Sequence, residues 1–169
     1  MNTTRLFFAL WPDMRQRDRL RDVINSVAKI VEGKPVDRRN WHVTLSFIGA
    51  FPEHRVPFLL ERAAEIPVEP FRLAFDRLEY WPRPRVAALC AANVPPEMQF
   101  VVDSLNRIID DLGIKPEDRV YRPHITVARS ANRFETERLT QRVLTEWSGF
   151  ELMESVSGPS GVTYSPVKQ

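Results

Sequence analysis

Two short stretches with the same order of residue types contain two of the three histidines of this 169-residue chain. They read His42-Val43-Thr44-Leu45 and His124-Ile125-Thr126-Val127, and they start 82 residues apart. Histidine titrates near neutral pH, so one member of a pair can carry a proton while the other is neutral. A hydroxyl beside each ring can donate a hydrogen bond to an anionic oxygen. The pattern therefore indicates paired general acid and general base chemistry on an anion such as a phosphodiester.

Alternation along a strand predicts where these side chains point. His42 and Thr44 share one face of the strand, and the apolar residues between and after them share the other. The second stretch repeats this arrangement with His124 and Thr126. Because the apolar faces need helices to pack against, each His/Thr pair is expected to point away from the core of its own lobe. Two lobes related by a pseudo-two-fold axis would then place the histidines opposite each other across a cleft.

Other chemistries have little support near these histidines. The chain has only six glycines and no glycine-rich phosphate loop, and neither histidine has a carboxylate nearby at metal-ligand spacing. Zinc sites normally use three or four protein ligands, so we expect no metal and no cofactor. A single His-x-Thr is usually structural, but two copies at matched positions favour a function. The third histidine, His54, follows Pro52-Glu53 and is expected at the surface without a role.

The elements that position the two stretches are predicted from periodicity. Apolar residues at helical spacing predict one helix after Asp13 and another after Pro95-Pro96 that ends at Gly113. Weaker helical patterns cover about residues 54–65 and 136–147. The stretch 81–85 is predicted as a turn. Strands are predicted over residues 5–11, 42–49, 71–80, 85–92, 124–129, 150–156 and 162–167.

The spacing of 82 residues also relates the first strand and first helix of each half of the chain. Each half consists of strand, helix, strand with His-x-Thr, weaker helix and strand. The sequence therefore predicts pseudo-repeats over about residues 4–81 and 85–162 within one domain spanning residues 1–169. We expect an internally duplicated α+β fold of two lobes, with helices on one face of each sheet and the active-site cleft between the lobes.

Composition sets broad limits on the class of protein. Hydrophobic residues make up 43% and charged residues 27%, as in a folded globular domain. A net charge of +2 argues against a polycationic nucleic-acid coat protein. The single cysteine, Cys90, excludes an internal disulfide framework and is expected to be buried. The apolar run 6–11 is too short for a signal peptide or a membrane span, so we expect a cytoplasmic protein with no membrane partner. A monomer is expected because no long apolar segment demands a protein partner.

Four segments carry a resemblance to a known family. They are residues 5–10 (RLFFAL), 41–49 (WHVTLSFIG), 122–129 (RPHITVAR), and the closing Glu154-Ser155 with residues 161–164 (GVTY). With them the chain resembles the two-histidine phosphoesterase superfamily, and within it the RNA 2′,3′-cyclic phosphodiesterases, historically called 2′-5′ RNA ligases. The resemblance implies two antiparallel-sheet lobes with outer helices and an open cleft. It also implies hydrolysis of RNA 2′,3′-cyclic phosphate ends to 2′-phosphates, with reversible, ATP-independent 2′-5′ ligation of tRNA halves as the older activity.

The same resemblance implies roles for individual residues. His42 corresponds to the proton donor and His124 to the proton acceptor, while Thr44 and Thr126 would hold the nonbridging phosphate oxygens. The residues by themselves do not distinguish acid from base, because the two motifs are nearly symmetric.

Three further residues are weaker candidates. Arg129 has the charge to bind phosphate, but its parity relative to His124 is odd, so a strand end or bulge must turn it inward; the alternative is an ordinary surface charge. Phe47 can stack on a base, yet it is odd in parity from His42, and a core position is favoured. Tyr164 is either a cleft residue or an ordinary interface tyrosine.

Two other hypotheses stay open for the function. One is the same chemistry on a small nucleotide, such as a cyclic phosphate of ADP-ribose or a 2′-5′ oligoadenylate. The other is a non-catalytic module that binds RNA ends.

Overall fold

Two antiparallel sheets form the centre of the fold in the computed structural model, which describes residues 2–167. The first sheet has the strand order β3-β1-β8-β9, and the second has the order β2-β6-β5-β4-β7. Their strands are β1 (Thr3–Leu10), β2 (Lys34–Pro35), β3 (Val43–Pro52), β4 (Phe71–Trp81), β5 (Val86–Cys90), β6 (His124–Arg129), β7 (Glu137–Trp147), β8 (Glu151–Gly158) and β9 (Gly161–Pro166).

Both strongly predicted helices form, and each has a local reason to begin or end where it does. In α1 (Met14–Ala28), the Asp13 side chain accepts from the Gln16 amide and the Gln16 side chain accepts from the Asp13 amide, which is a capping box. Helix α3 (Pro96–Asp111) starts with a proline and is followed by Gly113 at φ +83°, a conformation that favours glycine. The weaker pattern at 54–65 is confirmed as α2 (Val56–Ala64).

The helix predicted over 136–147 is wrong, because this segment is strand β7. Its last residues alternate in burial: Val143, Thr145 and Trp147 are buried, while the residues between them are exposed. Period-two burial is the property of a strand with one buried face. The segment pairs antiparallel with β4, and that pairing overrides the weak helical spacing of its apolar residues. The two-residue strand β2, which also escaped prediction, pairs with the end of β6.

The two sheets do not coincide with the two halves of the sequence. Strand β4 belongs to the first half but joins the second sheet, because residues 82–85 form a turn that pairs it with β5, as predicted. Strand β8 belongs to the second half but pairs with β1 in the first sheet. Each sheet is therefore built from both halves, and its strands share one continuous hydrophobic core.

The helices also cross between the halves. Side chains of α1 donate to backbone carbonyls of β7 in the second sheet, through Gln16 and Arg19. Helix α3 packs on β3 of the first sheet, where the buried Ser46 hydroxyl donates to the Asn106 side chain at 2.8 Å. Within the described residues, no helix is long and apolar enough to cross a membrane.

Candidate functional site

The two His-x-Thr stretches have the predicted parity. Val43 and Leu45 are 0% and 3% exposed, and Ile125 and Val127 are 0% and 4% exposed, so the apolar residues face the core. The histidines and threonines are half-buried on the opposite faces of β3 and β6. These faces belong to different sheets, as a cleft between two lobes requires.

His42 lies immediately before β3 in an aromatic surrounding. Its ring stacks on Trp11, with centroids 5.6 Å apart and planes 19° apart, and Phe7 and Tyr164 contact it at 5.0 and 5.1 Å. Nδ1 is 2.7 Å from the carbonyl oxygen of Asn40. A carbonyl only accepts, so Nδ1 carries a proton and Nε2 is the atom that titrates. Nε2 in turn lies 3.1 Å from the Thr44 hydroxyl.

His124 is held in a parallel way in the second sheet. Its Nδ1 is 3.0 Å from the carbonyl oxygen of Arg122, again two residues upstream, so Nε2 is again the titrating atom. The Trp81 ring lies 4.1 Å from the imidazole. The Arg122 guanidinium lies over that tryptophan at 5.1 Å and donates to both carboxylate oxygens of Glu79, at 2.6 and 2.8 Å. Backbone and side chain of Arg122 thus both support the ring.

Burial disfavours the charged form of both histidines. It lowers the pKa of His42 to about 4, and the positive charges of His124, Arg129 and Arg17 contribute in the same direction. Burial also lowers the pKa of His124, and the neighbouring Arg122 charge adds to this, while Glu79 opposes it. In the free protein at neutral pH, both rings are therefore neutral.

A cavity of about 190 Å³ lies between the two sheets. The second sheet contributes Thr126 and Arg129 to its lining. His124 does not line this cavity, although it lies two residues before Thr126 on the same face and its protonated form would lower the pKa of His42. The first sheet and its flanks contribute Arg5, Leu6, Phe7, His42, Thr44, Phe47, Ser155 and Tyr164.

Phe47 enters this cavity because β3 is bulged. Ala9 pairs with Thr44 and the next residue, Phe8, pairs with Ser46, so Leu45 is an extra residue on β3. The extra residue reverses the parity and places Phe47 on the cleft face, where it is 59% exposed. The expectation that Phe47 would favour the core is wrong for this reason.

A β-bulge of the same kind on β6 places Arg129 in the cavity. Ala88 pairs with Thr126 and Ala87 pairs with Ala128, so Val127 is the extra residue. This is the bulge that the sequence required for Arg129 to point inward. Among the described residues, neither Arg129 nor Arg5 forms an ion pair with a carboxylate, so the cavity has two uncompensated cations.

Comparison with known proteins agrees with this geometry. Residues 10–88 match a family model described as LigT like Phosphoesterase. An RNA 2′,3′-cyclic phosphodiesterase of Aeropyrum pernix is 36% identical over 114 residues, which cover 66% of this chain and 64% of that protein. One of Archaeoglobus fulgidus is 24% identical over 97% of this chain and 98% of its own length. The crystal structure of Escherichia coli LigT complexed with 3′-AMP superposes with a TM-score of 0.88 at 26% identity, covering 99% of this chain and 97% of that one.

The chain is similar to the LigT-like phosphoesterases in sequence over residues 10–88 and in fold over 99% of its length. It is therefore an enzyme of the phosphoesterase class, with the mixed α/β fold of two antiparallel sheets that the sequence predicted. The family match begins at Leu10 and includes the first His-x-Thr stretch but ends before the second. The evidence that the first His-x-Thr stretch lies opposite the second one therefore comes from the fold and not from the family model.

The two tryptophans beside the histidines were missed by the sequence analysis. Trp11 directly follows β1, Trp81 is the last residue of β4, and each is followed by a proline. The available signal was the Trp-Pro pair at the end of each predicted strand. Proline cannot continue the backbone hydrogen-bond ladder, so the tryptophan ring before it lies at the end of the sheet. Nothing in that signal says which histidine each ring contacts, because the contacts join segments distant in sequence.

Tyr121 is a second residue that only the structure reveals. Its hydroxyl donates to the Thr44 carbonyl oxygen at 2.7 Å, joining the segment before β6 to β3 in the other sheet. Burial raises the pKa of this hydroxyl, so it stays protonated as a donor. The bond fixes the two His-x-Thr stretches relative to each other.

Proposed function

We propose that this chain hydrolyses the 2′,3′-cyclic phosphate at the end of an RNA to a 2′-phosphate, using its two histidines and no metal ion. The observation that carries the proposal is the matched anchoring of His42 and His124. Each Nδ1 donates to a carbonyl two residues upstream, which leaves each Nε2 to exchange protons. The names of the curated relatives and the solved complex of a relative with 3′-AMP support a ribonucleotide substrate.

The proton transfers follow from this arrangement. Neutral His124 takes a proton from the attacking water through Nε2, and protonated His42 gives one to the departing 3′ oxygen. As the P–O bond to the attacking oxygen forms, the bond to O3′ breaks and the phosphate stays on O2′. This assignment of acid and base rests on the family resemblance.

Substrate binding prepares His42 for the acid role. Its lowered pKa leaves it neutral in the free protein, with its Nε2 accepting from the Thr44 hydroxyl. Burial, with a contribution from neighbouring positive charges, lowers this pKa; a phosphate anion bound beside the ring acts in the opposite direction and favours its protonated form. Once Nε2 is protonated, that hydrogen bond must reverse, and the Thr44 hydrogen becomes available to a phosphate oxygen.

The remaining cavity residues contact different parts of the substrate. Thr126 donates to a nonbridging oxygen and Arg129 supplies charge to the phosphate. Phe47 offers an exposed ring on which the terminal base stacks, with Arg5 over that ring at 5.7 Å.

The test uses a short RNA ending in a 2′,3′-cyclic phosphate, incubated with the protein in EDTA. The expected product is the 2′-phosphate, identified against 2′- and 3′-phosphate standards. His42→Asn and His124→Asn should each lower kcat/KM by about 10²–10⁴-fold, the usual contribution of one proton-transfer group. The matched control is His54→Asn, which removes the third histidine, in the short helical turn Glu53–Arg55. Full activity in either cleft variant contradicts the mechanism.

The same assay separates the rival hypotheses. A non-catalytic binding module would bind the RNA, more weakly as salt rises, without converting it. An enzyme for small nucleotides would turn over ADP-ribose cyclic phosphate or 2′-5′ oligoadenylate faster than the RNA end. The proposal also keeps two predictions made from the sequence: the protein is cytoplasmic, and it acts as a monomer.

A further inference from the structure

Three polar side chains form a row across the first sheet, on the face that lines the cavity between the two sheets. Arg5 of β1 pairs directly with Ser155 of β8, and Ser155 pairs directly with Tyr164 of β9. Directly opposed residues project to the same face of a sheet, and all three line the cavity. The row spans two strand spacings, about 10 Å. The function proposed above assigns no ligand to it.

The two ends of the row lie beside groups that the proposed function assigns to the terminal nucleotide. The Arg5 guanidinium lies over the Phe47 ring, 5.7 Å from its centroid, and Phe47 is the proposed platform for the terminal base. The Tyr164 ring contacts the His42 ring edge-on, with centroids 5.1 Å apart. The row therefore runs from the base platform to the histidine, along the side of the cavity that the first sheet forms.

The row is suited to bind an anion. Among the described residues, Arg5 forms no ion pair with a carboxylate, and no acidic side chain lines the cavity. Ser155 and Tyr164 are half-buried beside it, and each carries a hydroxyl that can donate a hydrogen bond. A guanidinium with two neighbouring hydroxyls matches the oxygens of a phosphate group.

The terminal ribose of the proposed substrate has three substituents that the cavity must accommodate. The base stacks on Phe47, and the cyclic phosphate on O2′ and O3′ lies between the histidines. The third substituent is the 5′ oxygen, which in an RNA carries the phosphodiester to the preceding nucleotide. Each phosphate of the chain carries one negative charge. Because Arg129 is assigned to the cyclic phosphate, a second phosphate is expected at the second uncompensated cation, which is Arg5.

We propose that the Arg5–Ser155–Tyr164 row binds the phosphodiester on the 5′ side of the terminal nucleotide. The proposal rests on the proposed function and narrows its substrate. The enzyme prefers a cyclic-phosphate ribose that carries a phosphate ester on its 5′ carbon, as an RNA end does, over a free nucleoside 2′,3′-cyclic phosphate. Because this phosphodiester does not react, the row positions the nucleotide and takes no part in the proton transfers.

The test removes one charge from the substrate while nearly preserving its size. Two dinucleotides of adenosine, each ending in a 2′,3′-cyclic phosphate, differ only in the link between the nucleosides. The link is a phosphodiester in one and an uncharged methylphosphonate in the other. The kcat/KM for both is measured at one salt concentration with wild type, Arg5→Met and the control Arg107→Met. Arg107 is an exposed arginine on α3 that does not line the cavity.

The measured quantity is the ratio of kcat/KM for the charged link to kcat/KM for the neutral link. Wild type should prefer the charged link about tenfold or more, as is typical of a hydrogen bond to a charged group. Arg5→Met should bring the ratio close to one, and Arg5→Lys, which keeps the charge, should retain part of it. Arg107→Met should keep the wild-type ratio. A loss of folded protein or a disturbed Phe47 ring lowers both rates and cancels in the ratio.

Three results would overturn the proposal. A wild-type ratio near one means that no group in the cavity recognises the 5′ phosphodiester. A ratio that Arg5→Met leaves unchanged, even with both rates reduced, means that Arg5 serves the cyclic phosphate or the Phe47 ring. A cyclic phosphate of ADP-ribose also carries a phosphate ester on a ribose 5-carbon, and it is assayed beside the dinucleotides. Faster turnover of this compound than of the charged dinucleotide would assign the row to a diphosphate and not to an RNA link.

Failure of the proposed function has a different signature. A wild-type protein that converts neither dinucleotide refutes the proposed function, and equilibrium dialysis with the same two compounds then tests the row alone. A Kd that favours the charged link in wild type but not in Arg5→Met supports a phosphodiester site. Equal Kd values for the two links in wild type overturn it.

Discussion

Phe47 and Arg129 lie at equivalent positions after the two His-x-Thr stretches, and matching bulges turn both side chains into the cleft. Each lies three residues after its threonine, and each follows an extra residue in its strand, Leu45 in β3 and Val127 in β6. The backbone device is duplicated, but the chemistry has diverged to an aromatic ring in the first sheet and a cation in the second. The two sides of the cleft therefore differ in chemistry, although the two histidine stretches are nearly symmetric.

Phe47→Ala should weaken substrate binding more than it slows the chemistry. Stacking a base on an aromatic ring is worth about 1–3 kcal/mol, so we expect KM for the cyclic-phosphate RNA to rise about tenfold or more with little change in kcat. Steady-state kinetics measure both constants. Phe100→Ala is the control, because Phe100 is similarly exposed, at 51%, but lies on α3 and does not line the cavity. A fall in kcat at constant KM contradicts a stacking role.

Arg129→Met should reduce both affinity and salt sensitivity. If Arg129 contacts a phosphate, its loss lowers the slope of log KM against log salt concentration by about one. Arg133→Met removes a nearby exposed arginine that does not line the cavity and should leave the slope unchanged. Equal slopes in wild type and Arg129→Met would show that this cation does not meet the phosphate.

The pH dependence should differ between free and bound enzyme. The pKa values of both histidines are lowered in the free protein, so the pH at which His42 is protonated and His124 neutral lies below the ordinary histidine value of about 6.5. We expect a bell-shaped kcat/KM profile with its maximum on the acid side of that value. A bound phosphate anion favours the protonated form of the nearby rings, so the kcat profile should lie at higher pH than the kcat/KM profile. The limbs describe the coupled pair. A profile that is flat from about pH 5 to 9 while chemistry limits the rate contradicts this mechanism.

Glu79→Gln should move one limb of that profile and not the other. The Glu79 carboxylate favours protonated His124 and so raises its pKa. Without it the pKa of His124 falls further, and the limb of the kcat/KM profile that follows His124 should move to lower pH while the other limb stays in place. The exposed Glu69→Gln provides the control. A profile that does not move at all would contradict an acid or base role for His124.

Tyr121→Phe should destabilise the fold and loosen the relation between the sheets. The variant removes the hydrogen bond from Tyr121 to the Thr44 carbonyl oxygen, a net loss of about 0.5–1.5 kcal/mol of unfolding free energy. Chemical denaturation measures the loss. Tyr80→Phe should cost less, because the Tyr80 hydroxyl has no hydrogen-bond partner within residues 2–167. Equal destabilisation by the two variants would mean that the cross-sheet bond adds nothing.

Local pattern was enough to predict most of the elements that support the site. The capping box at Asp13, the amphipathic faces of α1 and α3, and the turn between β4 and β5 each depend on residues close in sequence. The strand parity of the His-x-Thr stretches is equally local, so the apolar residues face the core as predicted. The segment 136–147 was misassigned because its strand character comes from pairing with β4, a partner some 70 residues away.

The sequence by itself was enough to single out the candidate groups for the chemistry, because residue types, their alternation and their repetition can be read along the chain. It did not determine how the halves share the two sheets, since β4 and β8 pair according to long-range packing. It required a bulge for Arg129 but could not reveal the one that exposes Phe47, because a bulge exists only in the register between two strands. The contacts of Trp11, Trp81 and Tyr121 with the histidine stretches likewise arise between distant segments. Only the tertiary structure brings those segments together.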